Sequence, residues 1–356
     1  MLKFILNLLN RNNKRKLSMK NNKISKEALI NGLEKAIKSK KIAALTKKQD
    51  KYLYDYIKNT NEIVFEEQAT VLSPKKFFFP PEEVILDYTA DNKITQNINA
   101  QPMILFGIRP CDINAIKILD EAFAESNGDP NYLAKRENSI VIGLDCASIC
   151  NEHAFCYSVK SQVVSSGCDI LLHDIGNNEF AIKTYTEKGQ ELLQQYFKTS
   201  PIKDNVIKEY KKNKEQAFSK NPPFKNLEKL PEIFEQNKDH PVWEEEGSKC
   251  LSCGACIMVC PTCYCFDVVD ELALNLKKGE RIRRWDACML SKFTEVAGGE
   301  IFRAEAKNRL KHRINRKFNY LMKKHNKPIC IGCGRCVKAC LAEISPKKIV
   351  TTLTSE

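Results

Sequence analysis

The chain has 356 residues, 16 of them cysteine, and a formal net charge of +13 from 57 Lys and Arg against 44 Asp and Glu. A length of this order accommodates two domains with cores of their own, and 43% hydrophobic with 28% charged residues excludes wholesale disorder. No apolar run approaches the roughly 18 residues of a membrane span, and the cysteines are too dilute for a small disulfide scaffold.

Residues 1–26 form a basic arm with eight Lys or Arg and no acid, opening on the apolar-amphipathic MLKFILNLLN. It reads as a tail or, given its missing acids, as an organelle-type targeting peptide; its apolar part is too short for a secretory signal. Residues 27–199 are expected to form an α/β domain. Its first part, 27–58, carries Leu29, Leu33, Ile37, Leu53 and Ile57 on helical spacing and reads as helix. Beyond Ile63 the pattern changes to short β-branched runs, MILFGI (103–108), SIVIGL (139–144) and DILLHDI (169–175), which read as buried strands. Between the first two, DINAIKILDEAF (112–123) carries a helical stripe of Ile113, Ile116, Leu119 and Phe123, with Asp112 as its N-cap. Strand, helix, strand predicts a βαβ unit and a parallel sheet. Residues 200–245, rich in Lys, Asn, Gln and Pro, read as a linker.

From 246 to 356 two cysteine motifs dominate. The first is Cys250-x2-Cys253-x2-Cys256-x3-Cys260-Pro261 and the second Cys330-x2-Cys333-x2-Cys336-x3-Cys340. A cubane [4Fe–4S] cluster needs four thiolates at four iron corners. Three cysteines at this spacing wrap one loop around three irons, and the fourth leads away to the other cluster. One cluster is therefore expected on Cys250, Cys253, Cys256 and Cys340, the other on Cys330, Cys333, Cys336 and Cys260. Gly254 and Gly334 suit the tight loop. Zinc ligands come instead as well-separated pairs.

Cys330 lies seventy positions after Cys260, more than a minimal ferredoxin uses, and EIFRAEAKNRLKHRINRKFNYLMKK (300–324) between them looks helical. The expected fold class is thus α+β multidomain: an N-terminal α/β domain followed by an α-helical two-cluster ferredoxin domain. Arg281, Arg283, Arg284, Arg303, Arg309 and Arg313 read as balance for cluster charge, as a face for a partner, or as a solvated helix face. Cys263, Cys265 and Cys288 receive no role beyond that of buried structural cysteines.

A third [4Fe–4S] cluster has a candidate set in Cys111, Cys146, Cys150 and Cys156. If the strands are parallel, Cys111 and Cys146 emerge at the same carboxyl edge, where α/β folds place ligands, and a helix N-terminus after Cys111 favours an anion. Cys168 precedes its strand and falls at the opposite end.

In order and spacing, SPKKFFFPPEEVILDY (73–88), GIRPCDINAIKILDEAF (107–123), RENSIVIGLDC (136–146), CLSCGACIMVCPTCYCFDVVD (250–270), RRWDACM (283–289) and CIGCGRCVKAC (330–340) resemble one family. It contains an iron–sulfur subunit of anaerobic sulfite reductase and the beta subunit of sulfhydrogenase-type nickel–iron hydrogenases. The resemblance spans residues 60–350. It implies an electron-transfer subunit, not itself catalytic, between a flavin subunit using NAD(P)H and a catalytic subunit carrying siroheme or nickel–iron. Sulfite reduction is the leading reading on this resemblance and hydrogenase the alternative. It also implies an extra cluster at Cys111, Cys146 and Cys156. The chain departs from the family's Cys-Phe-Cys with Ala154-Phe155-Cys156, and from a proline after the second motif with Leu341.

Nucleic-acid binding through structural clusters is the distant alternative. The basic residues are scattered, with few interleaved aromatics. With the arm's +8 set aside and about −2 on each oxidised cluster with its thiolates, the remaining chain is close to neutral. Air-sensitive clusters predict the cytoplasm, or an organelle matrix if the arm is a targeting peptide.

Overall fold

The computed structural model describes residues 22–66, 68–221 and 223–355. Positions 1–21 of the basic arm lie outside the described residues. Among the described residues no helix is long and apolar enough to cross a membrane. The strands are, in chain order, β1 (Asn22–Ser25), β2 (Lys41–Lys48), β3 (Lys51–Tyr56), β4 (Glu82–Thr89), β5 (Ile94–Gln96), β6 (Met103–Ile108), β7 (Ser139–Leu144), β8 (Ile170–Asp174), β9 (Glu179–Thr184), β10 (Ser200–Pro201), β11 (Phe266–Leu272) and β12 (Lys278–Trp285). The chain forms two compact units. One comprises the chain up to Pro74, Asn99–Cys150 and Ser161–Lys220; the other comprises Lys75–Ile98, Asn151–Lys160 and everything from Asn221. The stretch 200–245 carries helices, with Asp204–Phe218 in the first unit and Leu230–Gln236 in the second.

The first unit is built on an eight-stranded sheet in the order β10-β1-β9-β8-β7-β6-β2-β3. Its centre, β2, β6, β7 and β8, is parallel, as the βαβ reading predicts. Every residue of β6 is buried, which is why MILFGI is a continuous apolar run rather than an alternating one. Helix α1 (Lys26–Ile37) is N-capped by Ser25 and buries Leu29 and Leu33. Helix α2 (Pro110–Ala124) follows β6 and buries Ile113, Ile116, Leu119 and Phe123. Its N-cap is Arg109, with Pro110 at the first helical position; Asp112 sits inside the first turn and is buried.

The helical reading of 27–58 fails after Ile37. Ile42, Ala43, Ala44 and Leu45 are buried in β2, which lies parallel to β6. Leu53 belongs to the hairpin strand β3. The four-residue step from Leu53 to Ile57 imitates a helix, but sheet pairing decides the outcome.

The second unit holds a four-stranded antiparallel sheet in the order β11-β12-β4-β5. The segment between the cysteine motifs is therefore not helical throughout: β11 and β12 form a hairpin within it. Cross-strand ion pairs line this sheet, Arg281 with Asp270 at 2.8 Å, Arg284 with Glu82 and Glu271 at 2.7 Å, and buried Arg283 with Glu83 at 2.7 Å. The helical-looking stretch 300–324 does form helix, Ala306–Asn315, then a π turn Arg316–Tyr320, then Leu321–His325. Its buried Leu310, Ile314 and Phe318 join Phe155, Phe234, Trp243, Ile257 and Ile349 in one core.

Candidate metal centre

Helix α3 (Val242–Ser248) ends just before Cys250. The Ser252 N–H donates to Cys250 Sγ at 3.4 Å. Ser252 (φ 54°) and Gly254 (φ 75°) are left-handed, and α4 (Ala255–Met258) starts directly after them. The second motif makes the same turn again. The Gly332 N–H donates to Cys330 Sγ at 3.4 Å. Gly332 (φ 62°) and Gly334 (φ 76°) are left-handed, and a short helix, Arg335–Lys338, follows. In each loop a backbone N–H faces a sulfur, the polarity an anionic cluster requires.

Glycine at 334 is required twice over. A Cβ there would lie 2.7 Å from the His153 carbonyl carbon, and an L-residue in the left-handed region costs about 1–2 kcal/mol besides. Gly334→Ala is expected to destabilise the protein by at least about 2 kcal/mol and to lower its iron content. Denaturant midpoints and iron assays on anaerobic protein check this; an unchanged midpoint would contradict the strain. Ser252 has a side chain at the place equivalent to Gly332, and uses it: its Oγ accepts from Arg309 Nη2 at 2.6 Å.

Cys250, Cys253, Cys256 and Cys340 line one cavity, together with Met289, Leu310, Arg313 and Ile344. Three of the cysteines come from the first motif and one from the second. Cys330 and Cys333 both lie within electrostatic reach of Cys336 and of Cys260, the last cysteine of the first motif. Burial pushes the Cys256 thiol up to about 11 and that of Cys330 up to about 12. Such thiols bind metal by giving up protons, which nearby cations favour.

Those cations are present. Arg309, Arg313 and Lys317 are buried, so the basic residues of the sequence divide: Arg281, Arg283 and Arg284 pair with carboxylates, while Arg309 and Arg313 lie among the cysteine motifs. Burial disfavours charge on Arg313, but Cys256, Cys336, Cys263 and Cys260 outweigh it and hold the guanidinium charged. Its Nε and Nη2 have no hydrogen-bond partner. An unpartnered buried guanidinium is costly; here it marks the place of an anion. Lys317 Nζ donates to Thr262 Oγ1 at 2.8 Å. Buried Lys75 donates to the carbonyls of Cys260 and Cys263 at 3.0 and 2.9 Å. Converging thiols and an orphaned cation fit a four-thiolate cluster of net negative charge.

Cys111 lies in the first turn of α2 and Cys146 just past β7, both at the carboxyl edge of the parallel strands. Cys150 also belongs to the first unit, whereas Cys156 belongs to the second. Cys168 precedes β8, and burial pushes its thiol up to about 12. Beside Cys146, the Asp145 carboxylate meets His173 Nδ1 at 2.8 Å, Lys214 Nζ at 2.5 Å and Tyr210 Oη at 3.0 Å. The loop before Cys156 braces the second motif. The Phe155 N–H donates to the Gly332 carbonyl at 2.7 Å, and Asn151 Nδ2 to the Cys333 carbonyl at 3.3 Å. Sequence reasoning missed this brace, Lys75 and Lys317. Only RRWDACM and SPKKFFF, conspicuous as blocks, hinted that more than cysteines was involved.

Cys263, Cys265 and Cys288 come together. Cys265 is hydrogen-bonded to Cys288, which lowers the Cys265 thiol to about 6 and raises that of Cys288. Cys263 is likewise hydrogen-bonded to Cys260, which lowers the Cys260 thiol and raises that of Cys263.

Two loops of one design, their cysteines and the buried cations beside them fit an iron–sulfur protein. The 4Fe-4S dicluster domain family matches residues 249–344. Over 310 residues, 84% of this chain and 88% of the relative, the chain is 31% identical to sulfhydrogenase 2 subunit beta of Pyrococcus furiosus. The chain belongs to the sulfhydrogenase beta-subunit family. It is also 27% identical over 114 residues, 30% of this chain and 27% of the relative, to F420-dependent formate dehydrogenase 1 subunit beta of Methanococcus maripaludis.

Proposed function

We propose that this chain is the electron-transfer subunit of a hydrogenase-type oxidoreductase complex, relaying electrons between a flavin subunit using NAD(P)H and a nickel–iron catalytic subunit. Cys250, Cys253, Cys256 and Cys340 hold one [4Fe–4S] cluster, and Cys260, Cys330, Cys333 and Cys336 hold the other. The observation that carries this reading is the cavity shared by three cysteines of the first motif and the last of the second. A bound cubane supplies one-electron chemistry with little rearrangement. The protein's part is to fix the thiolates on paired left-handed loops, to aim N–H groups at sulfur and to keep Arg313 and Lys317 buried beside them. Fixed positive charge favours the reduced state.

The preference for sulfite reduction gives way here. It rested on the resemblance, and the relative that spans most of the chain is a sulfhydrogenase subunit. Oxygen-sensitive clusters suit the cytoplasm.

The test is purification of a tagged chain from its native host without oxygen. Nickel and flavin are expected to co-elute, and hydrogen is expected to reduce the clusters. Co-elution of siroheme without nickel would return the sulfite reading. A chain with neither iron nor sulfide would end the electron-transfer reading.

A further inference from the structure

A cavity of about 410 Å³ in the second unit is walled by Cys263, Cys265 and Cys288. The lining also carries four cations, Arg303, Arg313, Arg316 and Lys317, with His312, Thr262 and Tyr264, and no carboxylate lines it. Arg303 Nε and Arg313 Nε and Nη2 are buried without a hydrogen-bond partner. A void ringed by four cations and no acid is built around an anion. Three thiols in the lining restrict the choice of anion. Thiols do not bind phosphates or carboxylates, whereas as thiolates they bind soft metal centres. The volume far exceeds one metal ion.

We propose that Cys263, Cys265 and Cys288 are ligands of a further iron–sulfur cluster, of the cubane class, seated in this cavity. The inference rests on the electron-transfer reading and extends it. His312 is the nitrogen donor in the lining for the fourth iron corner. The cysteines come from two places: Cys263 and Cys265 follow the first motif, and Cys288 follows β12. Arg313 lines both this cavity and that of Cys250, Cys253, Cys256 and Cys340, and Cys263 lies against Cys260. An electron arriving here is passed on whole to a neighbouring cluster, with no bond made or broken.

The test compares the full chain with its Cys265→Ser/Cys288→Ser variant, which leaves the Cys260–Cys263 contact in place. Both are prepared without oxygen and assayed for iron, sulfide and zinc. The variant is expected to lose about four irons and four sulfides per chain and to keep the rest. Equal iron in the two proteins overturns the proposal, as does zinc lost in place of iron. Should the double variant not fold, Cys288→Ser alone is read by electron paramagnetic resonance of the dithionite-reduced protein. An oxygen ligand is expected to shift or remove one signal and leave the others; an unchanged spectrum overturns the proposal. If the wild-type chain holds no iron, the electron-transfer reading fails first. If it holds iron that the variants retain, only this inference fails.

Discussion

A Cys340→Ala chain is expected to lose the cluster of the first motif and to keep that of the second. Cys340 is the last cysteine of the second motif in sequence, so a linear reading would assign its loss to Cys330, Cys333 and Cys336. In space it lines the cavity of Cys250, Cys253 and Cys256. With three thiolates left, a cubane has one iron open to water, and iron is expected to fall by up to about four per chain. Alkylation of the anaerobic protein followed by mass spectrometry reads the outcome residue by residue. Cys250, Cys253 and Cys256 are expected to become reactive, and Cys330, Cys333 and Cys336 to stay protected. The mirror variant, Cys260→Ala, is expected to reverse the pattern. Electron transfer is expected to fall at least tenfold in either, because one step of the chain is missing. Loss of protection at Cys330, Cys333 and Cys336 in Cys340→Ala would mean that each motif keeps its own fourth ligand.

Arg313→Met is expected to act in opposite directions on the metal-free and the cluster-bound protein. Without a cluster, Arg313 is a buried cation with two unpartnered nitrogens. Replacing such a group by an apolar one of similar length is stabilising by about 1–4 kcal/mol. With clusters in place the same change removes positive charge from between anionic centres. Reduction adds a further negative charge, so it becomes harder, and the midpoint potentials are expected to fall. Thermal melts of apo and holo protein, with a redox titration of the holo form, check both signs. Arg313→Lys keeps the charge and is expected to restore most of the potential. A variant that lowers the stability of both forms equally would make Arg313 a packing residue.

Much of the fold was readable where one local rule governs. MILFGI and SIVIGL announce buried parallel strands because both faces are covered, and the Ile113, Ile116, Leu119 and Phe123 stripe announces α2. The two cysteine motifs stand out by their spacing alone. What escaped depends on partners far away in sequence. Leu53 and Ile57 match a helix until β2 and β6 claim the neighbouring chain. The β11–β12 hairpin carries arginines on both faces because Glu83 and Glu82, from β4, answer one on each. Lys75 meets the Cys260 carbonyl 185 positions on, and Asn151 meets that of Cys333 across 182. No window of sequence contains both partners of such contacts. Cys263, Cys265 and Cys288 looked like surplus for the same reason.

The shared cavity also fixes an order of events in biosynthesis. Three of its thiols are translated well before Cys340, and at ordinary elongation rates they wait roughly 5–15 s for it. On the proposed ligand set, the nascent chain therefore carries three of that site's four thiols before the fourth exists. On the same ligand set, assembly of the first-motif cluster waits for Cys340 to be made, and until then the three earlier thiols depend on a reducing environment.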